Sequence, residues 1–281
     1  MKSDIIAIQN AILKEFYLRF REYDGKMGLS APLIPRISPQ YLISRTIVIG
    51  QETNTWFPNK DISDNLYHII KHNPNNLEKD CLIDRYDNFI QNHAQKYGGK
   101  FWEFNRLLYK ENIIEGEMIE NGLLSHCWMN IFMTEAVTGK NKNEGRPTKN
   151  KKVANQVMEL QTDLVSRILN ILSPKRIIFL TGHSLDYYIQ KGALNKTAIC
   201  KTPLDEKGIL QPHELAIFKI EDSSHFLHST DIIRAYHPTY FMARINTNKG
   251  LRKRLDNNKI SDSNSKYYTK ALVNYLKMKS L

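Results

Sequence analysis

The feature that most constrains this chain is a series of short apolar runs, each closed by glycine or a polar turn and separated by helix-patterned sequence. "RTIVIG" (45–50), "CWMNIFM" (127–133), "KRIIFLTG" (175–182), "LAIFKI" (215–220) and "IIRAY" (232–236) read as strands. Short β-branched and aromatic runs bounded by turn residues suit a buried sheet. Between them the apolar spacing changes to three and four residues, the period of an amphipathic helix. Ile5, Ile8, Ile12, Phe16 and Phe20 mark a helix over about residues 4–22. Val153, Val157, Leu160, Leu164, Ile168 and Leu172 mark another over about 153–172, which Ser173-Pro174 ends. "DRYDNFIQNHAQKYG" and "KFWEFNRLLYKE" are also helix-patterned, and a last helix is expected over about 266–279. The alternation predicts one α/β domain over residues 1–281, with three α/β/α layers around a mostly parallel sheet.

In such a sheet, ligands bind outside the carboxyl ends of the strands. Those ends carry "GQETNTWF" after the first strand, Asn130 within the second, "TGHS" after the third and "HPTYF" after the last. Taken singly, each has an ordinary reading. Glu52 is a loop carboxylate, Asn130 a strand-end amide and His237 half of a common His-Pro pair.

Charge narrows the choice of partner. The chain has 40 Lys and Arg against 29 Asp and Glu, a net +11, and such an excess suits a polyanion, most commonly nucleic acid. The segment "GKNKNEGRPTKNKK" (139–152) concentrates six of these cations. It reads as a surface loop, and in a parallel sheet it begins on the ligand-binding edge, where Arg146 and Lys149 would meet DNA.

Other classes are disfavoured. "MKSDIIAIQNAILKEF" lacks the apolar core of a signal peptide, and no apolar run approaches the ~18 residues that span a bilayer. The three cysteines, Cys81, Cys127 and Cys200, are too few and too scattered for a disulfide framework, and no CxxC pair offers a zinc or iron–sulfur site. The expectation is a cytoplasmic protein, a monomer in preference to an oligomer, with its cysteines in the core and no metal or cofactor.

Together, and in chain order, the strand ends resemble the signature motifs of the uracil-DNA glycosylase superfamily. Gly50-Gln51-Glu52 is similar to its glycine-led loop, whose third residue activates water. Asn130 in "WMNIFM" matches its base-reading asparagine, and His237-Pro238-Thr239 matches its His-Pro-Ser motif. "KRIIFLTGHS" is similar to the strand before the last motif, and "KFWEFNRLL" resembles a Phe-Trp helix of some branches. The resemblance spans roughly residues 45 to 245.

It implies a uracil-DNA glycosylase-like fold and a monofunctional DNA glycosylase, with Glu52 and His237 catalytic and Gln51 and Asn130 at the base. Phe241 falls where the superfamily carries a wedge that fills the gap left by a flipped base; Tyr240 and Met242 flank it. The alternative is that this aromatic cluster seats the following helix. Thr239, Arg244, Lys249, Arg252, Lys253 and Arg254 would then hold DNA.

The departures carry information too. Glu52 replaces the usual Asp or Asn, and Thr53 replaces a proline. Asn54 falls where the uracil-specific enzymes carry a tyrosine that excludes groups on pyrimidine C5. Trp56 falls near a base-stacking aromatic, with Phe57 a second candidate. Without the tyrosine gate, the expected substrate is a 5-modified pyrimidine rather than, or as well as, uracil. Such an activity would suit repair or defence against phage DNA with modified bases.

The chemistry supports the assignment independently of the family. Cleaving an N-glycosidic bond creates an oxocarbenium-like sugar, which a carboxylate such as Glu52 stabilises while it orients water. It also creates an anionic base, which a neutral or charged imidazole donor such as His237 stabilises. An amide both donates and accepts, so Asn130 suits a pyrimidine edge.

Two other readings compete. "FLTGHSLDYYI" nearly matches the G-x-S-x-G elbow of α/β hydrolases, with Ser184 as nucleophile, His237 as base and Asp231 as acid, but Asp186 stands in place of the second glycine. The other is a glycosylase-like fold that binds DNA without cleaving it.

Overall fold

A computed structural model of the chain describes residues 2–21, 23, 28–30, 32–52, 86–94, 98–111, 113–114, 126–136, 146–204 and 207–278. These residues contain a six-stranded sheet of β1 (Thr46–Gly50), β2 (Cys127–Asn130), β3 (Arg176–Leu180), β4 (Ile199–Pro203), β5 (Leu215–Ile220) and β6 (Asp231–Ala235). The spatial order is β2-β1-β3-β6-β5-β4. The first four strands are parallel, while β5 and β4 run antiparallel to their neighbours. From β1 the chain moves outward to β2 and then returns across β1 to β3. The strand order thus reverses between β1 and β3, and in α/β sheets such a switch point is where ligands bind, outside the carboxyl ends of the strands.

Period-two alternation sends side chains to opposite faces, and both faces are covered. Ile47, Ile49, Ile177 and Phe179 pack with α1 (Lys2–Phe20), α4 (Lys151–Leu160) and α5 (Leu164–Leu172). Val48, Trp128, Ile178, Leu180 and Ile233 pack with α3 (Lys100–Lys110), α6 (Lys249–Asn257) and α7 (Asn264–Met278). A short helix, α2 (Pro39–Ser44), leads into β1. The architecture is α/β with a mostly parallel mixed sheet and helices on both faces, consistent with three layers.

Four points of the sequence reading need correction. The single helix expected over 153–172 is two helices, broken at Gln161–Asp163. Gln161 is fully buried, donates to the Ile131 carbonyl at 2.5 Å and accepts from the Met133 amide at 3.1 Å, while Asp163 turns left-handed at φ 57°. Its side chain thus satisfies the chain leaving β2, a demand local periodicity does not report. The strand expected over 127–133 accordingly ends at Asn130. Finally, β4 was not anticipated, because "ICKTP" lies on the sheet edge and has no apolar run. Cys200 within it is exposed rather than in the core; Cys127 is buried, and Cys81 lies outside the described residues.

The amino edge of the sheet is closed by polar contacts. Arg176 and Asp231, register partners on β3 and β6, are ion-paired at 3.1 Å, and Tyr275 donates to the other Asp231 oxygen at 2.8 Å. Tyr41 and Arg45 both donate to the Leu172 carbonyl at 3.0 Å. Asp231 therefore stands a full strand length from His237, and the Ser184–His237–Asp231 arrangement of a hydrolase is not assembled. Asp186 holds the buried Arg234 guanidinium at 3.0 Å and Lys201 at 2.8 Å.

Candidate active site

The sheet brings three of the expected residues to its carboxyl edge. Gly50 closes β1 directly opposite Asn130, the last residue of β2. A Cβ at position 50 would overlap Asn130 Oδ1 and crowd the Phe101 ring at 3.2 Å, so only glycine lets the asparagine side chain lie across the end of β1. Asn130 is 1% exposed, and among the described residues its Nδ2 has no hydrogen-bond partner. A buried, unsatisfied amide donor costs about 1–3 kcal/mol. Such a donor is completed by ordered water or by a ligand.

Phe101, from the first turn of α3, forms the wall beside this amide. Its ring stacks on His237 at 5.9 Å and 20°, and packs against Trp102 and Trp128. His237 follows β6, and its Nδ1 accepts from the Thr239 amide at 3.2 Å, which places the ring proton on Nε2. Burial, reinforced by the nearby Arg146 charge, pushes its pKa down to about 4. At neutral pH its imidazole is thus uncharged, with its N–H on Nε2.

Glu52 follows β1 by two residues, and its side chain is 2% exposed. It accepts three hydrogen bonds from one turn: Arg146 Nε to Oε1 at 2.6 Å, Thr148 Oγ1 to Oε1 at 2.6 Å and the Thr148 amide to Oε2 at 2.8 Å. A carboxylate offers about four acceptor positions. Among the described residues' contacts one position stays open, on Oε2.

Several expected roles change. Gln51 donates to the Thr181 carbonyl at 2.7 Å, so this side-chain donor ties the β1 and β3 ends together instead of facing a base. Phe241 is not an exposed wedge: it is fully buried, stacked on Tyr268 at 5.0 Å and edge-on to Phe104 at 5.2 Å, and it seats the π-helical turn Tyr240–Arg244 against α7. Tyr240 packs on Tyr236 at 4.6 Å. Arg252 is committed to Asp256 and to the carbonyls of Asp262 and Ile260, so it caps a turn rather than facing a phosphate. Arg254 is held by Glu214 and the Ile209 carbonyl. Arg146 is bound to Glu52 and is not a free cation. Lys149, Thr239, Arg244, Lys249 and Lys253 are exposed.

Asn54, Trp56 and Phe57 lie outside the described residues, as does 139–145 of the basic segment. Sequence reasoning did not select Phe101 or Thr148. "KFWEFNRLL" carried a signal for Phe101, whereas nothing local marks Thr148.

Among the described residues, no three or more His, Cys, Asp or Glu side chains converge as a metal site, and no helix is long and apolar enough to cross a membrane. Compared with known proteins, the chain matches no family model and no curated protein.

Proposed function

We propose that this protein is a monofunctional DNA glycosylase with a uracil-DNA glycosylase-like fold. It takes a base out of the DNA stack and hydrolyses its N-glycosidic bond to leave an abasic site. The observation that carries the reading is the unpartnered Asn130 amide, buried at the sheet's carboxyl edge beside Phe101 and held there by the absence of a side chain at Gly50.

Each residue present then has a chemical task. The Asn130 amide meets the edge of the extruded base, and Phe101 offers an aromatic wall beside it. The free acceptor position on Glu52 Oε2 orients the attacking water, and the carboxylate opposes the positive charge that develops on the sugar. The neutral His237 Nε2–H donates to the base oxygen as it gains negative charge, and no proton need be transferred. Lys149, Arg244, Lys249 and Lys253 neutralise backbone phosphates, in keeping with the net charge of +11.

The substrate we favour is a 5-modified pyrimidine rather than, or as well as, uracil. Its support is the sequence alone, where Asn54 replaces the excluding tyrosine. Such a substrate would suit a cytoplasmic role in repair or in defence against phage DNA.

The test is abasic-site formation by wild type and Glu52→Gln on DNAs carrying uracil, a thymine mismatch, hydroxymethylcytosine or its glucosylated form. Cleavage of one substrate, abolished by the substitution, is the expected result. Tight salt-dependent DNA binding with no cleavage of any substrate would instead indicate a non-catalytic binding module.

A further inference from the structure

A carboxylate as buried as Glu52 requires donors. What is specific here is their source. All three come from a single turn, 94 and 96 positions further along the chain, that lies within the segment singled out for its cations. The turn is internally fastened: the amides of Lys149 and Asn150 both donate to the Arg146 carbonyl at 3.0 Å, and Pro147 is buried. Asn150 then caps α4 by accepting from the amides of Lys152 and Val153.

Thr148 grips both carboxylate oxygens at once, its hydroxyl on Oε1 and its amide on Oε2. Two donors from one residue define the plane of the carboxylate as well as its position. Arg146 adds a third bond to the carboxylate, the second on Oε1, so among the described residues' contacts the acceptor position left open lies on Oε2. Glutamate is one methylene longer than aspartate and has an additional torsion to fix. A clamp on both oxygens supplies that restraint.

We propose that Thr148 and Arg146 are positioning residues for the reaction: they fix the Glu52 carboxylate so that its remaining lone pair is presented to the attacking water. This rests on the glycosylase reading. It also removes Arg146 from the phosphate-binding set, because the guanidinium faces a carboxylate of its own chain.

The test uses the full chain. Thr148→Val removes the hydroxyl at nearly constant shape, and Thr148→Ser keeps it. Single-turnover base release at saturating enzyme should fall 10- to 100-fold in Thr148→Val, the scale expected of a misplaced reacting group. DNA affinity should stay within about twofold, and Thr148→Ser should recover the rate to within about threefold. Arg146→Gln, which removes the charge, tests the same claim from the other side. It should slow base release while leaving the slope of log Kd against log salt unchanged, whereas losing one phosphate contact, as in Lys253→Ala, should reduce that slope by about one.

A full rate in Thr148→Val, or a Thr148→Ser protein as slow as the valine variant, would overturn the proposal. So would a reduced salt slope in Arg146→Gln. A denaturant double-mutant cycle between Glu52→Gln and Thr148→Val separates the two levels of failure. Coupling in that cycle, with a wild type inactive on every DNA, would refute the glycosylase reading and reduce the clamp to a structural contact. An active wild type without coupling would refute the clamp alone.

Discussion

Two carboxylate–guanidinium pairs sit at opposite edges of the same sheet, and they differ in everything except their chemistry. Asp231 and Arg176 are neighbours across β6 and β3, and Tyr275 completes them. The pair is local to the ladder and closes the amino edge. Glu52 and Arg146 lie 94 residues apart on two loops, and their contact stands at the carboxyl edge, where the Asn130 amide is left unpaired. Asp231 ties strands together at an edge closed by polar contacts. Under the proposed reading Glu52, at the same edge as the Asn130 amide and a neutral imidazole, is instead a reactive group held in place. Position on the sheet, rather than the ion pair itself, distinguishes the two.

That contrast can be broken most sharply at Glu52. Glu52→Gln is expected to lower base release by about 10³-fold, within the range for a positioned acid–base group, with DNA affinity retained. Asp231→Asn should do the reverse. Breaking a buried pair costs about 3–5 kcal/mol, and the partial exposure of Asp231 brings the expected loss to about 2 kcal/mol, read from the denaturant midpoint, with base release unchanged. If both variants lost activity alike, the two edges would not be functionally distinct.

Gly50→Ala sharpens the contrast further. The added methyl displaces the Asn130 side chain or the Phe101 ring, and kcat/KM should fall by about 10- to 100-fold at little cost in DNA affinity.

The smallest expected effect is on pH. His237 falls to about 4 and His126, fully buried on the amino side of β2, to about 3, both below the ordinary value of 6.5. The unfolded chain therefore binds these protons first. Stability is fully present above about pH 6.5 and is lost as pH falls toward each folded value, by about 1 kcal/mol per histidine at pH 5.5. His237→Gln should remove one of the two contributions. Base release, which uses neutral His237, should show an acid limb near pH 4 rather than near 6.5.

Much of the parallel half was legible in the sequence. "TIVIG", "RIIFL" and "DIIRA" announce themselves because strands buried on both faces need unbroken apolar, β-branched runs. The edge strand "ICKTP" has no such need and gives no such signal. The same reasoning separates the site residues. Gly50, Glu52, Asn130 and His237 are legible as strand-end residues because strand ends can be counted along the chain. Thr148 is not, because its contact exists only through a partner 96 positions away. For Phe241 the sequence leaves a wedge and a helix-seating residue open, and one turn of backbone rotates it inward onto Tyr268, the second of the two. A sequence position states how far along a turn a residue lies, not which way the turn faces.

The turn at 146–150 makes the site sensitive to chain length as well as to residue identity. Thr148 stands two positions before the Asn150 cap, and α4 is packed into the core through Val153, Ala154, Val157 and Met158. Deleting Lys149 would draw the clamp about 3.8 Å along the chain toward a helix that cannot follow. Inserting a residue there would release it. Between Thr148 and Asn150 the chain acts as a ruler, and relatives that vary freely in loop length elsewhere should keep this spacing constant.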